Sequence, residues 1–355
     1  MIEAITSLLI MIIAIYLLAI VTDGFFIESL DTIARKLSLP HNVAGASLMA
    51  MGSSMPELSI ALITLVRAGG QYSDIGVGNI VGSAVFNILI ITGASALIRP
   101  ARITRPVIIR DCLVYTASIG LLLGVYVDGR VTLSETLVFL GLYALYILIL
   151  FYWNRFFPDG EDGLELLEQG LEDELAKTGW LNRLTAGVTR GIGFLTGDAG
   201  KSYGRAFVVS VILIAGLSWL LVENAVIFAN AIGVPPLIIA LTVLAGGSSV
   251  PDLIASLLVS REGRGEMAVS NAVGSNIFDI SIGLGLPWLL VLLAGREAVP
   301  VGTAGLYTST LILLGTVVVL FVFANTGKIL SRLEGGILVG LYVAYVLWAW
   351  LQGGA

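Results

Sequence analysis

The 355-residue sequence has little charge: only 12% of its residues are Asp, Glu, Lys or Arg, whereas a soluble globular domain has about 25%. Its single cysteine, Cys112, excludes an intrachain disulfide. Hydrophobic residues make up 57% of the chain, and many lie in runs close to the roughly 20 residues that a membrane helix needs. These runs are continuous rather than alternating, which excludes a transmembrane β-barrel. The sequence therefore predicts an all-α polytopic membrane protein.

The apolar runs predict ten transmembrane helices. Their predicted limits are 5–25, 43–67, 75–98, 107–126, 132–153, 206–230, 236–260, 267–293, 301–324 and 335–351. The start of the chain has no positive region and no small-residue cleavage site, so we interpret the first run as a span rather than a signal peptide. The predicted organisation is a first half (1–153), a polar connector (154–205) and a second half (206–355).

The placement of Lys and Arg predicts the orientation, because these residues are enriched in cytoplasmic loops. With the N-terminus outside, only Arg67, Arg130 and Arg296 of the 19 basic residues lie outside. Both termini are then outside and the 154–205 connector is cytoplasmic. Five spans in each half also make the second half inverted relative to the first, an arrangement typical of secondary transporters.

The two halves repeat a short sequence. Glu28, Pro40, Gly52, Ser53, Ser54, Pro56 and Glu57 match Glu223, Pro235, Gly247, Ser248, Ser249, Pro251 and Asp252 at an offset of 195. Asn79, Gly82, Ser83, Phe86 and Asn87 match Asn271, Gly274, Ser275, Phe278 and Asp279 at an offset of 192. A match of this length with one gap indicates two copies of one structural unit.

Each copy places a proline inside an apolar run, directly before a carboxylate. Proline removes a backbone hydrogen bond and clashes with the preceding turn, so we expect a broken or kinked helix at membrane depth. Freed carbonyl oxygens survive there only if they line a cavity. The hydroxyl groups of Ser53, Ser54, Ser248 and Ser249 add oxygen donors, although these serines also fit as small packing residues.

Glu57 and Asp252 supply negative charge in the same stretches. An ionised carboxylate at the bilayer centre costs roughly 2.5 kcal/mol or more, and two facing carboxylates repel each other. A divalent cation between them removes both costs. Carboxylate, hydroxyl and carbonyl oxygens suit Ca²⁺ and Na⁺ rather than Zn²⁺ or copper. We therefore predict a hard-cation site around these two residues.

The adjoining spans contribute a second pair of polar positions. Ser83 and Asn87 are four residues apart, as are Ser275 and Asp279, so each pair lies on one helix face. Asp279 brings the number of carboxylates at the predicted site to three.

Other acidic residues have simpler interpretations. Glu28 and Glu223 lie near span ends, where an interfacial structural role is favoured over ion binding. The acidic stretch of the connector fits either a solvated linker or a small ion-sensing element, although it has no EF-hand spacing. The lone histidine, His41, is interpreted as a solvated loop residue.

These motifs resemble the alpha-repeats of the cation/calcium exchanger superfamily. The resemblance rests on Gly52–Glu57 with Gly78–Asn87, and on Gly247–Asp252 with Met267–Asp279. The following Gly283–Trp288 stretch is most similar to the potassium-dependent sodium/calcium exchanger branch. The Gly-Asn-x-x-Glu pattern typical of the proton-coupled branch is absent, and many relatives have threonine at the positions of Ser53 and Ser248.

The resemblance implies exchange of several Na⁺ ions for one Ca²⁺ by alternating access, with spans one and six moving. It implies that Glu57 and Asp252 are the central calcium ligands. The residues implied at the sodium sites are Ser54, Ser83, Ser249, Ser275, Asn87 and Asp279. Ca²⁺ alone leaves one of the three carboxylates uncompensated, so either K⁺ binds as well or Asp279 stays protonated.

The leading hypothesis is thus a sodium-driven calcium antiporter, which is not an enzyme and needs no cofactor. Exchange of protons for Ca²⁺ or another divalent cation is the alternative within the class. A cation channel and an intramembrane aspartyl protease are the alternatives from other classes; the inverted repeat argues against the former, and the protease's usual sequence surroundings are missing. We expect a monomer in a prokaryotic cell membrane whose partners are ions and lipid, not nucleic acid.

Overall fold

The computed structural model describes residues 2–36, 50–70, 72–103, 105–156, 181–197, 202–261, 263–302, 304–327 and 329–353. The predictions made for His41, for the start of the second span and for the acidic part of the connector lie outside these residues.

The first half begins with a long helical rod and ends with two straight helices. Its helices are α1 (Ile2–Val21), α2 (Glu28–Lys36), α3 (Ala50–Ser53), α4 (Met55–Val66), α5 (Ser73–Phe86), α6 (Thr92–Ile98), α7 (Arg105–Val125) and α8 (Leu133–Phe156). Helix α9 (Leu181–Thr196) lies in the connector and was not predicted. A π-helical turn, Thr22–Ile27, joins α1 to α2, and we call residues 2–36 the first rod.

The second half contains eight helices in the described residues. It consists of α10 (Tyr203–Ile232), α11 (Pro236–Ile239), α12 (Ala245–Ser248), α13 (Val250–Arg261), α14 (Gly265–Phe278), α15 (Gly285–Leu293), α16 (Ala304–Gly327) and α17 (Arg332–Gly353). Three more π-helical turns are Asn87–Ile91, Ala240–Leu244 and Asp279–Leu284, and a 3₁₀ turn covers Arg67–Gly70. The described part of the chain is therefore almost entirely helical.

Eight helical runs in the described ranges are long and apolar enough to cross a bilayer. They are Ile2–Ile33, Ser73–Ile98, Pro106–Val125, Leu133–Trp153, Tyr203–Ile232, Gly265–Leu293, Gly305–Asn325 and Arg332–Gln352. The bent pair Pro236–Ser248 and Val250–Arg261, whose parts meet at 46°, is a ninth candidate. Since the second predicted span is described only from residue 50, the count of ten and the inverted repeat stay predictions.

Four two-residue strands connect the halves crosswise. Strand β1 (Ala101–Arg102) pairs with β4 (Ile329–Leu330), and β2 (Arg130–Val131) pairs with β3 (Val299–Pro300), both antiparallel. Each pair joins two loops that the sequence places on the same side of the membrane. This pairing agrees with the predicted grouping of the loops, although which group faces the cytoplasm stays a prediction.

The helices that follow β2 and β4 begin with the same capping arrangement. The backbone N–H of Thr132 donates to Glu135 at 2.8 Å, and that of Ser331 donates to Glu334 at 2.7 Å. Each hydroxyl in turn accepts a bond from the backbone N–H of its glutamate, so both helices start with a reciprocal capping box. The two halves thus share a local feature that the repeat motif did not include.

The apolar interior is divided into two main clusters. The larger one lies among α4 to α8 and α14 to α17, with Phe139, Tyr115 and Trp288 among its buried members. The second lies between the first rod and α10 and includes Met11, Leu18, Ile214 and Leu221. The first rod and α10 therefore pack chiefly against each other.

Aromatic contacts also join the first rod to the start of α10. Phe26 stacks on Phe207 with ring centroids 5.4 Å apart, and the Lys36 ammonium lies 3.8 Å from the centroid of the Tyr203 ring. A cation held over an aromatic face contributes about 0.5–1 kcal/mol at exposed sites. These contacts add to the apolar packing between the first rod and α10.

Candidate functional site

Both proline-containing stretches are broken at equivalent residues. The break in the first half is Ser54, with φ −90° and ψ 6°, and that in the second half is Ser249, with φ −91° and ψ 3°. Each break lies two residues before a proline, which occupies the first turn of the next helix, where a missing N–H costs least. We call residues 50–66 broken helix A and residues 236–261 broken helix B. The expected helix breaks are confirmed.

The three predicted carboxylates lie next to these breaks. The side chains of Glu57 and Asp279 are each only 2% exposed, and Asp252 is partly buried. Glu57 is close enough to Asp252 and to Asp279 for electrostatic interaction with both. The Ser248 side chain lies beside the Glu57 carboxyl group and the Ser54 side chain lies beside Asp279, so each serine approaches a carboxylate of the other half.

The remaining predicted serines take different positions. The Ser83 and Ser249 hydroxyl oxygens are 2.7 Å apart and share a hydrogen bond across the halves. The Ser248 and Ser275 hydroxyls donate to carbonyl oxygens of their own helices, those of Ala245 and Ala272. Ser53 lines a cleft between the broken helices and the first rod.

A network of amides and a phenol fixes the orientation of Asn87. The Asn87 Nδ2 donates to Asn276 Oδ1 at 2.9 Å, and Asn276 Nδ2 donates to the Tyr115 hydroxyl at 2.9 Å and to the Ala84 carbonyl at 3.1 Å. Because the amide nitrogen of Asn87 is already engaged, its Oδ1 is the atom left to accept a ligand. Asn276 and Tyr115 therefore position a predicted site residue.

Four buried side-chain oxygens in this region have no hydrogen-bond partner among the described residues. They are Glu57 Oε2, Asn79 Oδ1, Asn87 Oδ1 and Asp279 Oδ1. Leaving a buried acceptor unpaired costs about 1–3 kcal/mol, and more when the group is charged. Native proteins pair nearly all such groups, so a cluster of exceptions indicates a missing ligand. Because acceptor oxygens need a donor or a cation, the chemistry of this set fits a hard cation.

The carboxylates do not form one compact cage. In the described part of the chain, no three Asp, Glu, His or Cys side chains are close enough to hold one metal ion together.

Sequence reasoning used Asn79 only as a repeat match, but it is fully buried and both its side-chain polar atoms lack partners in the described structure. It lies on α5 with Ser83 and Asn87 at intervals of four residues, which places all three on one helix face. That spacing was the available signal. Tyr115 and the role of Asn276 had no such signal, because their contact joins residues 161 positions apart.

The π-helical turns also mark this region. One begins at Asn87, one begins at Asp279, and one ends immediately before the small-residue cluster at Ala245. A π-turn inserts an extra residue into a helix and is frequently found at functional sites. Here the α-helical hydrogen-bond pattern changes at Asn87 and at Asp279, which are two of the polar residues of the predicted site.

Comparisons with known proteins place the chain in a family. The family described as sodium/calcium exchanger protein matches residues 7–152 and 204–351. Sodium/potassium/calcium exchanger 5 of Homo sapiens is 30% identical over 377 residues, covering 86% of this chain and 74% of that protein. The putative antiporter CaxA of Alkalimonas amylolytica is 29% identical over 327 residues, covering 90% and 91%.

Solved structures share the fold. The crystal structure of the H⁺/Ca²⁺ exchanger CAX matches with a TM-score of 0.71 at 16% identity, covering 96% of this chain and 82% of that one. The sodium-calcium exchanger NCX_Mj matches with a TM-score of 0.58 at 22% identity, covering 97% and 98%. The family match extends over both halves of the chain, and the predicted resemblance is confirmed: this multi-pass membrane protein belongs to the sodium/calcium exchanger family of cation antiporters.

Proposed function

We propose that the protein exchanges Na⁺ for Ca²⁺ across the membrane by alternating access, with Glu57 and Asp252 as the central calcium ligands. The observation that carries the proposal is the set of four buried, unpaired oxygens on Glu57, Asn79, Asn87 and Asp279. In a bilayer such groups are too costly to persist without partners, and a hard cation satisfies several at once.

The distribution of charge supports more than one cation position. Glu57 and Asp252 interact electrostatically, and Ca²⁺ between them replaces repulsion by attraction. Asp279 also interacts electrostatically with Glu57 and Asp252 and lies beside Ser54, where Na⁺, K⁺ or a proton would balance its charge. Because the two positions share Glu57, Na⁺ at one weakens Ca²⁺ at the other, and this competition is what an antiporter requires.

The packing supports a moving element. The first rod and α10 pack on the broken helices through the second apolar cluster, which also contains Ile60 and Leu244, and a sliding motion of the pair would change this cluster rather than the larger one. Arg67, after broken helix A, forms an ion pair of 2.5 Å with Glu223 of α10. A sliding motion of α10 would break and re-form this ion pair. The ion pair also supports the structural role predicted for Glu223.

The test is uptake of calcium-45 into liposomes that contain the purified chain. We expect uptake to require internal Na⁺, to saturate with external Ca²⁺, and to fall to background in Glu57→Gln. Glu3→Gln, which changes an exposed carboxylate at the start of α1, is the matched control and should transport normally.

Other driving ions give distinct outcomes. If only an outward proton gradient drives calcium uptake, the coupling ion is H⁺ instead of Na⁺. The proposed calcium site at Glu57 and Asp252 would be unaffected by that result. If K⁺ increases the exchange rate, K⁺ joins the transported ions. If K⁺ leaves the exchange rate unchanged, protonation of Asp279 balances the charge. Calcium flux that needs no counter-ion would contradict exchange and favour a channel.

A further inference from the structure

A narrow cleft leads from the broken helices along the first rod. Its polar and small lining residues come from three elements: Ala19, Thr22 and Asp23 from the first rod, and Ser53, Ser248 and Asp252 from the two broken helices. No basic side chain is among the residues that line it. The cleft therefore connects Asp252, a predicted calcium ligand, with a carboxylate that the repeat motif does not contain.

Thr22 has an unusual environment for a helical threonine. Its side chain is 2% exposed, and its Oγ1 has no hydrogen-bond partner among the described residues. Threonine hydroxyls within helices commonly donate to the carbonyl three or four residues earlier, as Thr64 and Thr242 do here. Thr22 is the first residue of the π-helical turn, and it is one of the residues that line the cleft.

Asp23 follows Thr22 in the same turn and remains accessible in the cleft. It is close enough to Asp252 on the opposite wall for electrostatic interaction between the two carboxylates. Two like charges across a narrow, apolar-walled passage repel each other unless a cation lies between them. The hydroxyl and the two carboxylates together provide the oxygen set that hard cations prefer.

We propose that Thr22 and Asp23, facing Asp252, form an entry site at which a hard cation binds before it reaches the central site. This inference rests on the proposed exchange function and extends it to the moving helix. The 195-residue offset relates Thr22 and Asp23 to Leu217 and Ser218, which carry no charge. The entry site therefore has no repeat equivalent, and it serves only the side of the membrane toward which this cleft opens.

The test measures calcium-45 exchange separately at each membrane face, in liposomes whose insertion orientation is reported by a terminal epitope tag. We expect Asp23→Asn to raise the half-saturating Ca²⁺ concentration about tenfold at the face served by the cleft, because a charged passage concentrates cations by at least that factor. The opposite face and the maximal rate should stay unchanged. Asp23→Glu should restore the wild-type value, and Glu3→Gln should match wild type.

Thr22→Val distinguishes coordination of the cation by the Thr22 hydroxyl from electrostatic attraction by Asp23. The substitution removes the hydroxyl but keeps the Asp23 charge and the shape of the side chain at position 22. We expect it to raise the same half-saturating concentration without lowering the unfolding temperature, because the hydroxyl has no hydrogen-bond partner among the described residues. A Thr22→Val variant identical to wild type would overturn coordination by Thr22, and with it the site as proposed.

The remaining outcomes separate the entry site from the exchange function. Equal effects of Asp23→Asn at both faces, or a lower maximal rate at unchanged half-saturation, would also overturn the entry site. Absence of any ion-driven calcium exchange in the wild-type chain would instead defeat the proposed function. Proton-driven exchange would still allow the entry-site test, because the measured quantity is the calcium dependence at each face.

Discussion

The side-chain oxygens of Ser83 and Ser249 are 2.7 Å apart, and their hydrogen bond joins α5 of the first half to the break in broken helix B. Neither serine bonds its own repeat equivalent, since the equivalent of Ser83 is Ser275 and that of Ser249 is Ser54. The bond therefore ties the two halves together at the depth of the predicted ions.

A double-mutant cycle on Ser83→Ala and Ser249→Ala should show a coupling of about 0.6 kcal/mol, the average for hydrogen bonds between membrane helices. Each single variant should also raise the half-activating Na⁺ concentration, because each removes a hydroxyl oxygen near the site. Thermal unfolding in detergent and sodium-driven calcium uptake provide the two measurements. Strictly additive effects on stability would mean that the hydroxyls bind other groups.

Glu57→Gln should abolish exchange without lowering the unfolding temperature of the cation-free chain, because it neutralises a buried group whose Oε2 has no partner among the described residues. In the wild type, Ca²⁺ at a hundred times its dissociation constant should add about 2.7 kcal/mol of stability. Glu57→Gln should lose this increment. The measurement is the unfolding temperature with and without Ca²⁺.

Glu135→Gln is the control for that experiment. It alters the capping box at Thr132 and should lower stability by about 1 kcal/mol. It should nevertheless keep the stabilisation by Ca²⁺, since it lies at a helix end away from the three carboxylates. If both variants respond to Ca²⁺ equally, Glu57 is not a ligand.

Gly82→Ala should disrupt the protein, whereas Gly274→Ala should be tolerated. A Cβ at Gly82 would overlap the backbone carbonyl of Leu241 and come within 2.8 Å of the Ala245 Cβ, so α5 would have to move away from broken helix B. A Cβ at Gly274 would meet only the Tyr146 hydroxyl within 4.0 Å. Overpacking of this kind typically costs about 1–3 kcal/mol. Expression, unfolding temperature and uptake of the two variants can be compared directly.

Asn79→Asp should destabilise the cation-free chain and increase its stabilisation by Ca²⁺. The substitution places a negative charge at a fully buried position that carries unpaired polar atoms in the described structure. A cation at the site would compensate that charge. Asn224→Asp is the matched control, because it also introduces a buried carboxylate and loses a hydrogen bond to Leu220, but is not one of the predicted site residues. Equal Ca²⁺ responses in the two variants would exclude Asn79 from the site.

The sequence predicted the features that depend on residue chemistry. Proline and glycine placed the two helix breaks, and the intramembrane carboxylates identified Glu57, Asp252 and Asp279 as the candidate ligands. Because the motif occurs in both halves, the interpretation of Glu57 in the first half supports that of Asp252 in the second. The prediction of the two helix breaks is confirmed, because proline acts locally along the chain. The ligand roles of the three carboxylates stay predictions.

Features set by packing were not predicted. The first rod was expected to end near residue 25, but helical structure continues to Lys36, because the polar segment Glu28–Lys36 follows the π-helical turn without a helix breaker. The π-helical turns themselves have no residue signature. Asp23 was passed over because it lies near the end of an apolar run, and its relation to Asp252 appears only when the first rod crosses the broken helices.

The crosswise strand pairs have a consequence for assembly of the chain. Strand β1 pairs with residues 329–330, near the end of the chain. The first half therefore cannot form this strand pair before the second half has been synthesised. The β1–β4 pair forms only after residues 329–330 have left the ribosome. Two separately expressed halves would each present two unpaired strands to the other, so we expect the strand pairs to form only when both halves are together.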